Sequence, residues 1–259
     1  MITKRERLKL VAIWTATHFL LVAVIFFPEI HWDNPYGDVQ LYFHYANLLI
    51  AGRLPYRDFS VEYPPLALLF FTLPRLFSQE FNAYLRIYNL EVLAVEAATL
   101  TVILKVVCRC SLHRERRLYP LFAYLMLVSS SGQIFLHRYD ALPAFLTILA
   151  IHQYLKGHEK SAWTVLACGV MTKVYPVLLA PLFLLTSFSG KSHKFKDALS
   201  GSLIFLGVPA LILSPFLILA GGKSLQPFLY NLERGIQLES TYASLLLFTH
   251  SALGLPVRI

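Results

Sequence analysis

Apolar runs of membrane-crossing length, cut by short charged segments, narrow the folds open to this chain more than any other feature. Leu8–Phe27, Arg86–Val107 and Ala198–Ala220 each come close to the roughly 20 residues that span a hydrocarbon core of ~30 Å. The apolar residues fill these runs rather than marking one stripe, which is the pattern of helices surrounded by lipid. With 56% hydrophobic and 15% charged residues, the chain is far more apolar than a soluble domain. The expected fold class is an all-α polytopic membrane protein forming a single unit over residues 1–259.

The net charge of +8 does not point to a nucleic-acid partner, because the basic residues sit between the apolar runs. Four segments carry thirteen of the 23 lysines and arginines: Met1–Lys9, Arg109–Arg117, Lys156–Lys160 and Lys191–Lys196. By the positive-inside rule these are cytoplasmic. The first run is then a retained signal anchor, since no A-x-A-like cleavage site follows it. Tyr119–Gln133, Ala141–Leu155, Ala162–Thr172 and Val174–Phe188 alternate between the two faces. Gly221–Tyr242 is expected as a second outer loop, and a further helix starts near Ala243. Leu66–Phe77 is too short to cross and is expected to be re-entrant or interfacial, which leaves an odd number of crossings before the basic segment at Arg109.

The longest polar interruption, Asp33–Pro65, is thereby placed outside. It holds the acids Asp33, Asp38, Asp58 and Glu62, five tyrosines and a closing Pro64-Pro65. Within it, Val39–Ala51 has helical periodicity and ends at Gly52, a natural C-terminal stop, so it reads as a helix lying at the interface. The same topology brings Asp38, Asp58, Glu62, Arg86, Arg138, Asp140, Lys173, Arg234 and Glu239 to one face. Any one of these is as well explained by simple solvation. Their convergence from distant segments points to a site. Glu91 and Glu96 lie deeper in the Arg86–Val107 run, as helix-packing groups or as part of a relay. Cys108, Cys110 and Cys168 read as inert thiols, and no soluble-enzyme signature is present.

The run Asp38, Gln40-Leu41-Tyr42, Tyr45-Ala46, Gly52, Leu54-Pro55-Tyr56, Asp58-Phe59 and Glu62-Tyr63-Pro64-Pro65 resembles the first outer loop of GT-C glycosyltransferases. The nearest likeness is to glycosyltransferase family 87, the polyprenyl-phosphate-mannose-dependent mannosyltransferases. Arg138-Tyr139-Asp140, Lys173-Val174-Tyr175-Pro176 and Arg234 through Ser240 are similar to that family as well. The resemblance implies a module of seven to eight transmembrane helices, with residues 28–85 as a large extracytoplasmic loop carrying interfacial helices. It implies a multi-pass protein of a bacterial plasma membrane and transfer of a mannose-like sugar from a polyprenyl-phosphate donor to a lipid or glycan acceptor. Asp38 would be the general base and Glu62 a second catalytic candidate. Tyr42, Tyr63, Arg138, Asp140, Lys173, Tyr175, Arg234 and Glu239 would bind substrate, with Arg138, Lys173 and Arg234 on the phosphate. No cofactor or metal ligand is implied. Family members usually continue for several more spans, so the chain reads either as a fragment or as a short member ending in a half-span. Two rival expectations are a secondary transporter, which would place its charges at the bilayer midplane among internal repeats, and a non-catalytic subunit whose outer loop binds a partner.

Overall fold

The computed structural model describes residues 8, 11, 12, 14, 15, 19, 37–109, 119–189, 195–233 and 241–253, and among these every regular element is helical. The expected first span, Leu8–Phe27, and three of the four basic segments fall largely outside the described residues. So do Asp33, Arg234 and Glu239.

Helix α1, Val39–Ile50, forms where periodicity predicts it. Its buried face is Val39, Tyr42, Tyr45 and Ala46, spaced for one side of a helix. It stops because Gly52 takes φ +75°, which lets the Gly52 N–H donate to the Leu49 carbonyl and the Arg53 N–H to that of Leu48. Helix α2, Pro65–Arg75, starts with Pro65 in the first turn, where a missing N–H does no harm. Its 11 residues reach only ~16 Å, so it cannot cross a bilayer, as its length predicts. The Leu66 N–H donates to the Met171 carbonyl, tying the start of α2 to a segment about a hundred residues further along the chain.

Helix α3, Phe81–Arg109, is the longest element, at 29 residues or ~43 Å. Tyr84, Tyr88, Val92 and Glu96 are buried along one face. Helices α4 (Tyr119–Leu136), α5 (Ala141–Leu155) and α6 (Glu159–Val170) follow. A 3-10 turn at Tyr175–Leu179 then leads into α7, Ala180–Ser189. Helix α8 runs from Phe195 to Ala220. The segment expected as a second outer loop, Gly221–Tyr242, is helical over its described first half. A 3-10 turn (Gly221–Leu225) and helix α9 (Gln226–Glu233) occupy it, with Ser224 and Pro227 buried against the body. Helix α10 is Thr241–Leu253.

Helices α3, α5, α6 and α8 pack side by side in that order, and α1 with α2 packs where α3 begins. The turn before α5 and the turn after α6 lie at that same end. Among the described residues one stretch, Ala198–Tyr230, is long and apolar enough to cross a membrane by itself. Its best 18-residue window has a mean hydropathy of 2.5 and none of it is buried. A core helix of a soluble domain would be covered, whereas Leu211 is 75% and Ile218 82% exposed. Helix α3 has the length but carries Arg86, Glu91, Glu96 and Lys105. Glu96 is fully buried, within electrostatic reach of Tyr124 on α4.

Where helices α6 and α8 pack together, one small residue makes room for an indole. A Cβ on Gly201 would lie 2.1 Å from the Trp163 indole nitrogen, and the indole is itself buried against Phe183 and Phe205. Small residues let helices approach this closely where no hydrophobic drive between them exists. Gly201→Ala is expected to lower stability by about 1–3 kcal/mol, the usual effect of overpacking. Thermal unfolding in detergent, against Gly207→Ala (where a Cβ meets nothing within 4 Å), reads this directly.

Candidate active site

The site is built where three chain segments meet. Gly37 turns into α1 with φ +51°, and a Cβ there would lie 3.2 Å from the His137 Cβ. Only a residue without a side chain brings the start of α1 this close to the 137–140 turn. That approach puts the Asp38 carboxylate 2.8 Å from the Arg138 guanidinium. One turn along α1, the Tyr42 hydroxyl points at the same carboxylate from 3.5 Å.

Two residues past Arg138, Asp140 pairs with Lys173, which sits in the turn after α6. The Tyr139 hydroxyl between them donates to the Thr172 carbonyl at 3.3 Å. The Lys173 ammonium lies 5.1 Å from the centre of the Tyr139 ring, within cation–π range. Two ion pairs and one hydrogen bond therefore hold together residues 38, 137–140 and 172–173. Both pairs are a third to a half exposed. Pairs this wet contribute only about 0.2–1 kcal/mol each to stability. Holding the fold together is a poor account of why they are there.

Aromatic rings floor the cluster. Tyr42 stacks on Phe71 at 4.0 Å and meets Tyr63 and Tyr139 edge-on. Tyr63 and Tyr139 also meet edge-on, at 5.2 Å. Burial first, then Tyr88 and Asp38, push the Tyr42 phenol far above its ordinary pKa. Burial, Tyr42, Glu62 and Asp38 do the same for Tyr63, and burial, Asp140 and Glu62 for Tyr139. These phenols stay protonated, and the same three carboxylates act on them from around the floor.

Glu62 is half-buried beside Tyr45, Tyr63 and Tyr139, and among the described residues its carboxylate has no cation partner. Its backbone N–H donates to the Tyr45 hydroxyl oxygen, while burial pushes the Tyr45 phenol up to about 12. Tyr175 borders the cluster next to Asp140 and Tyr139 and is bonded to Thr147. Asp58 belongs elsewhere. Arg57, first, and the Leu54 N–H hold its carboxyl down at about 2 within their own loop. Arg86 is exposed on α3 and makes no ion pair among the described residues.

Of the residues singled out in the sequence, Asp38, Tyr42, Glu62, Tyr63, Arg138, Asp140, Lys173 and Tyr175 come together. Tyr139 is the central ring and was passed over, although it stands between Arg138 and Asp140. Its aromatic partner Phe71 gave no signal in a short apolar run. Among the described residues no group of three or more His, Cys, Asp or Glu side chains is placed to hold a metal ion. No protein-family model, no curated protein and no solved structure matches this chain.

Proposed function

We propose that the protein is a multi-pass GT-C glycosyltransferase of a bacterial plasma membrane. It moves a mannose-like sugar from a polyprenyl-phosphate donor to a lipid or glycan acceptor on the extracytoplasmic face. The observation that carries this reading is the meeting of Asp38, Arg138, Asp140 and Lys173 over a tyrosine floor, at one end of a helical body with bare apolar flanks. An anionic lipid donor and a hydroxyl acceptor require a base, cations and ring surfaces at the edge of an apolar slab, and this end offers all three.

Asp38 accepts the acceptor's hydroxyl proton as the oxygen attacks C1 of the sugar. The bond from C1 to the phosphate oxygen breaks, and its electron pair leaves with the polyprenyl phosphate. Arg138 and Lys173 offset the charge on that phosphate through charge-assisted hydrogen bonds. Without donor, Asp38 and Asp140 hold the two cations in position. A phosphate competes for them, and a guanidinium that turns to it releases the Asp38 carboxylate to act as base. Arg234, outside the described residues, is the third cation in this reading. Glu62 is the second carboxylate at the reaction centre.

The test is transfer itself. Membranes containing the protein, given a polyprenyl-phosphate hexose with labelled sugar, should convert label into a product that control membranes lack. The same label on a nucleotide should stay put. Label that remains on every polyprenyl-phosphate hexose offered would overturn the proposal.

A further inference from the structure

A concave site lies between the 54–60 loop and the start of α9, and nothing in the reaction described above uses it. It is a cleft of about 630 Å³ lined by Tyr56, Arg57, Asp58, Phe59, Gln226 and Lys223, among others. That volume falls within the roughly 300–1,000 Å³ typical of small-molecule sites. We propose that this cleft binds the acceptor as a saccharide chain, with its far end in the cleft and its reacting hydroxyl at Asp38. The proposal rests on the transferase reading and extends it to the acceptor.

One wall is a loop closed on itself. The Tyr56 N–H donates to the Phe59 carbonyl, the Asp58 N–H to that of Leu54, and the Leu54 N–H back to the Asp58 carboxylate. Tyr56 holds φ +67°, a left-handed conformation that a bulky L-residue rarely adopts. It is kept there because its hydroxyl donates to the Tyr63 carbonyl at 2.7 Å and its ring packs edge-on against Phe216. Strained backbone held this firmly concentrates at sites where side chains must be aimed. Here it aims Arg57 and Asp58 into the cleft.

The chemistry of the lining selects the ligand. Arg57 and Asp58 form a two-point pair at 2.8 and 3.2 Å, so their charges cancel while the remaining guanidinium N–H groups and carboxylate lone pairs face outward. Ser60 donates to the Gln226 side-chain oxygen across the cleft, leaving the amide N–H groups to donate. Paired donors and acceptors with little net charge match the vicinal hydroxyls of a sugar. One exposed lysine at the rim is a poor phosphate site by comparison. Half-buried Phe59 supplies a flat apolar surface for a ring face.

Ring contacts tie the wall of the cleft to the reaction centre. Phe59 stacks on Tyr45 at 5.9 Å, Tyr45 lies against Tyr63 at 6.1 Å and bonds the Glu62 backbone, and Tyr63 abuts Tyr42 beside Asp38. Tyr45 and Tyr42 are buried, so these contacts fix where the cleft wall stands relative to the base.

The experiment uses the full chain in lipid nanodiscs with linear mannotriose, maltotriose and cellotriose as probes, read by saturation-transfer NMR. At least one should bind the wild type and Lys196→Gln alike. Gln226→Ala and Arg57→Ala should each weaken that binding about five- to tenfold, the worth of a side-chain hydrogen bond or two. In transfer assays each should raise the acceptor KM equally and leave the donor KM unchanged. No signal from any trisaccharide, or equal binding to both variants, overturns the inference. Transfer that proceeds with an unchanged acceptor KM in both variants also refutes the cleft and leaves the transferase standing. Trisaccharide binding that both variants weaken, in a protein that moves no sugar, refutes the transferase and leaves a saccharide site.

Discussion

Asp38→Asn is expected to cut sugar transfer by about 10²–10⁴-fold, the usual worth of a general base. The amide keeps the size of the carboxylate and an oxygen for Arg138, but it takes up no proton. Helix α1 should survive, because the Asp38 side chain makes no capping hydrogen bond and asparagine is a good residue at a helix start. The ion pair it gives up is exposed, so unfolding should shift by no more than about 1 kcal/mol. Initial rates at saturating donor, with donor binding measured in parallel, separate loss of chemistry from loss of substrate. Asp33→Asn should behave as wild type. Full activity in Asp38→Asn would remove it from the mechanism, and loss in Glu62→Gln would then move the base to the unpartnered carboxylate.

Lys173→Gln and Arg138→Gln should each weaken donor use about 10- to 150-fold, since a hydrogen bond to a charged group is worth roughly 1.5–3 kcal/mol. The loss should appear in the donor KM or in the rate, and acceptor KM should hold. A purely structural role predicts another pattern, in which thermal stability falls and both Michaelis constants drift together. Lys196→Gln is the control, because that exposed lysine sits at the opposite end of α8, which is 26 residues or ~39 Å long, from Ala220. Equal donor KM in Lys173→Gln, Arg138→Gln and Lys196→Gln would mark the first two as topology anchors.

Part of this arrangement was legible because apolar helices announce themselves by length and by the charges between them. The reach of α2, the stop of α1 at Gly52 and the helix Ala141–Leu155 all follow from local rules of that kind. The meeting of Asp38, Arg138, Asp140 and Lys173 was legible only as a shared face, from parity of crossings. Who pairs with whom was not, because it depends on Gly37 letting α1 approach His137, a contact between segments far apart in the chain. Tyr139 was hidden for the same reason. A ring becomes a floor only through the rings around it. The helical turns in the first half of Gly221–Tyr242 were not legible, because the burial of Ser224 and Pro227 that accompanies them is a tertiary contact.

The most direct test of the central claim follows both halves of the donor. Purified protein in proteoliposomes is given a doubly labelled polyprenyl-phosphate hexose, with one label on the sugar and one on the lipid phosphate, together with a membrane extract as acceptor source. Group transfer predicts that sugar label enters a new product while free polyprenyl phosphate appears in equal amount, and that Asp38→Asn stops both. Donor that crosses the bilayer or stays bound with its two labels still joined would contradict the account and favour a transporter or a binding subunit.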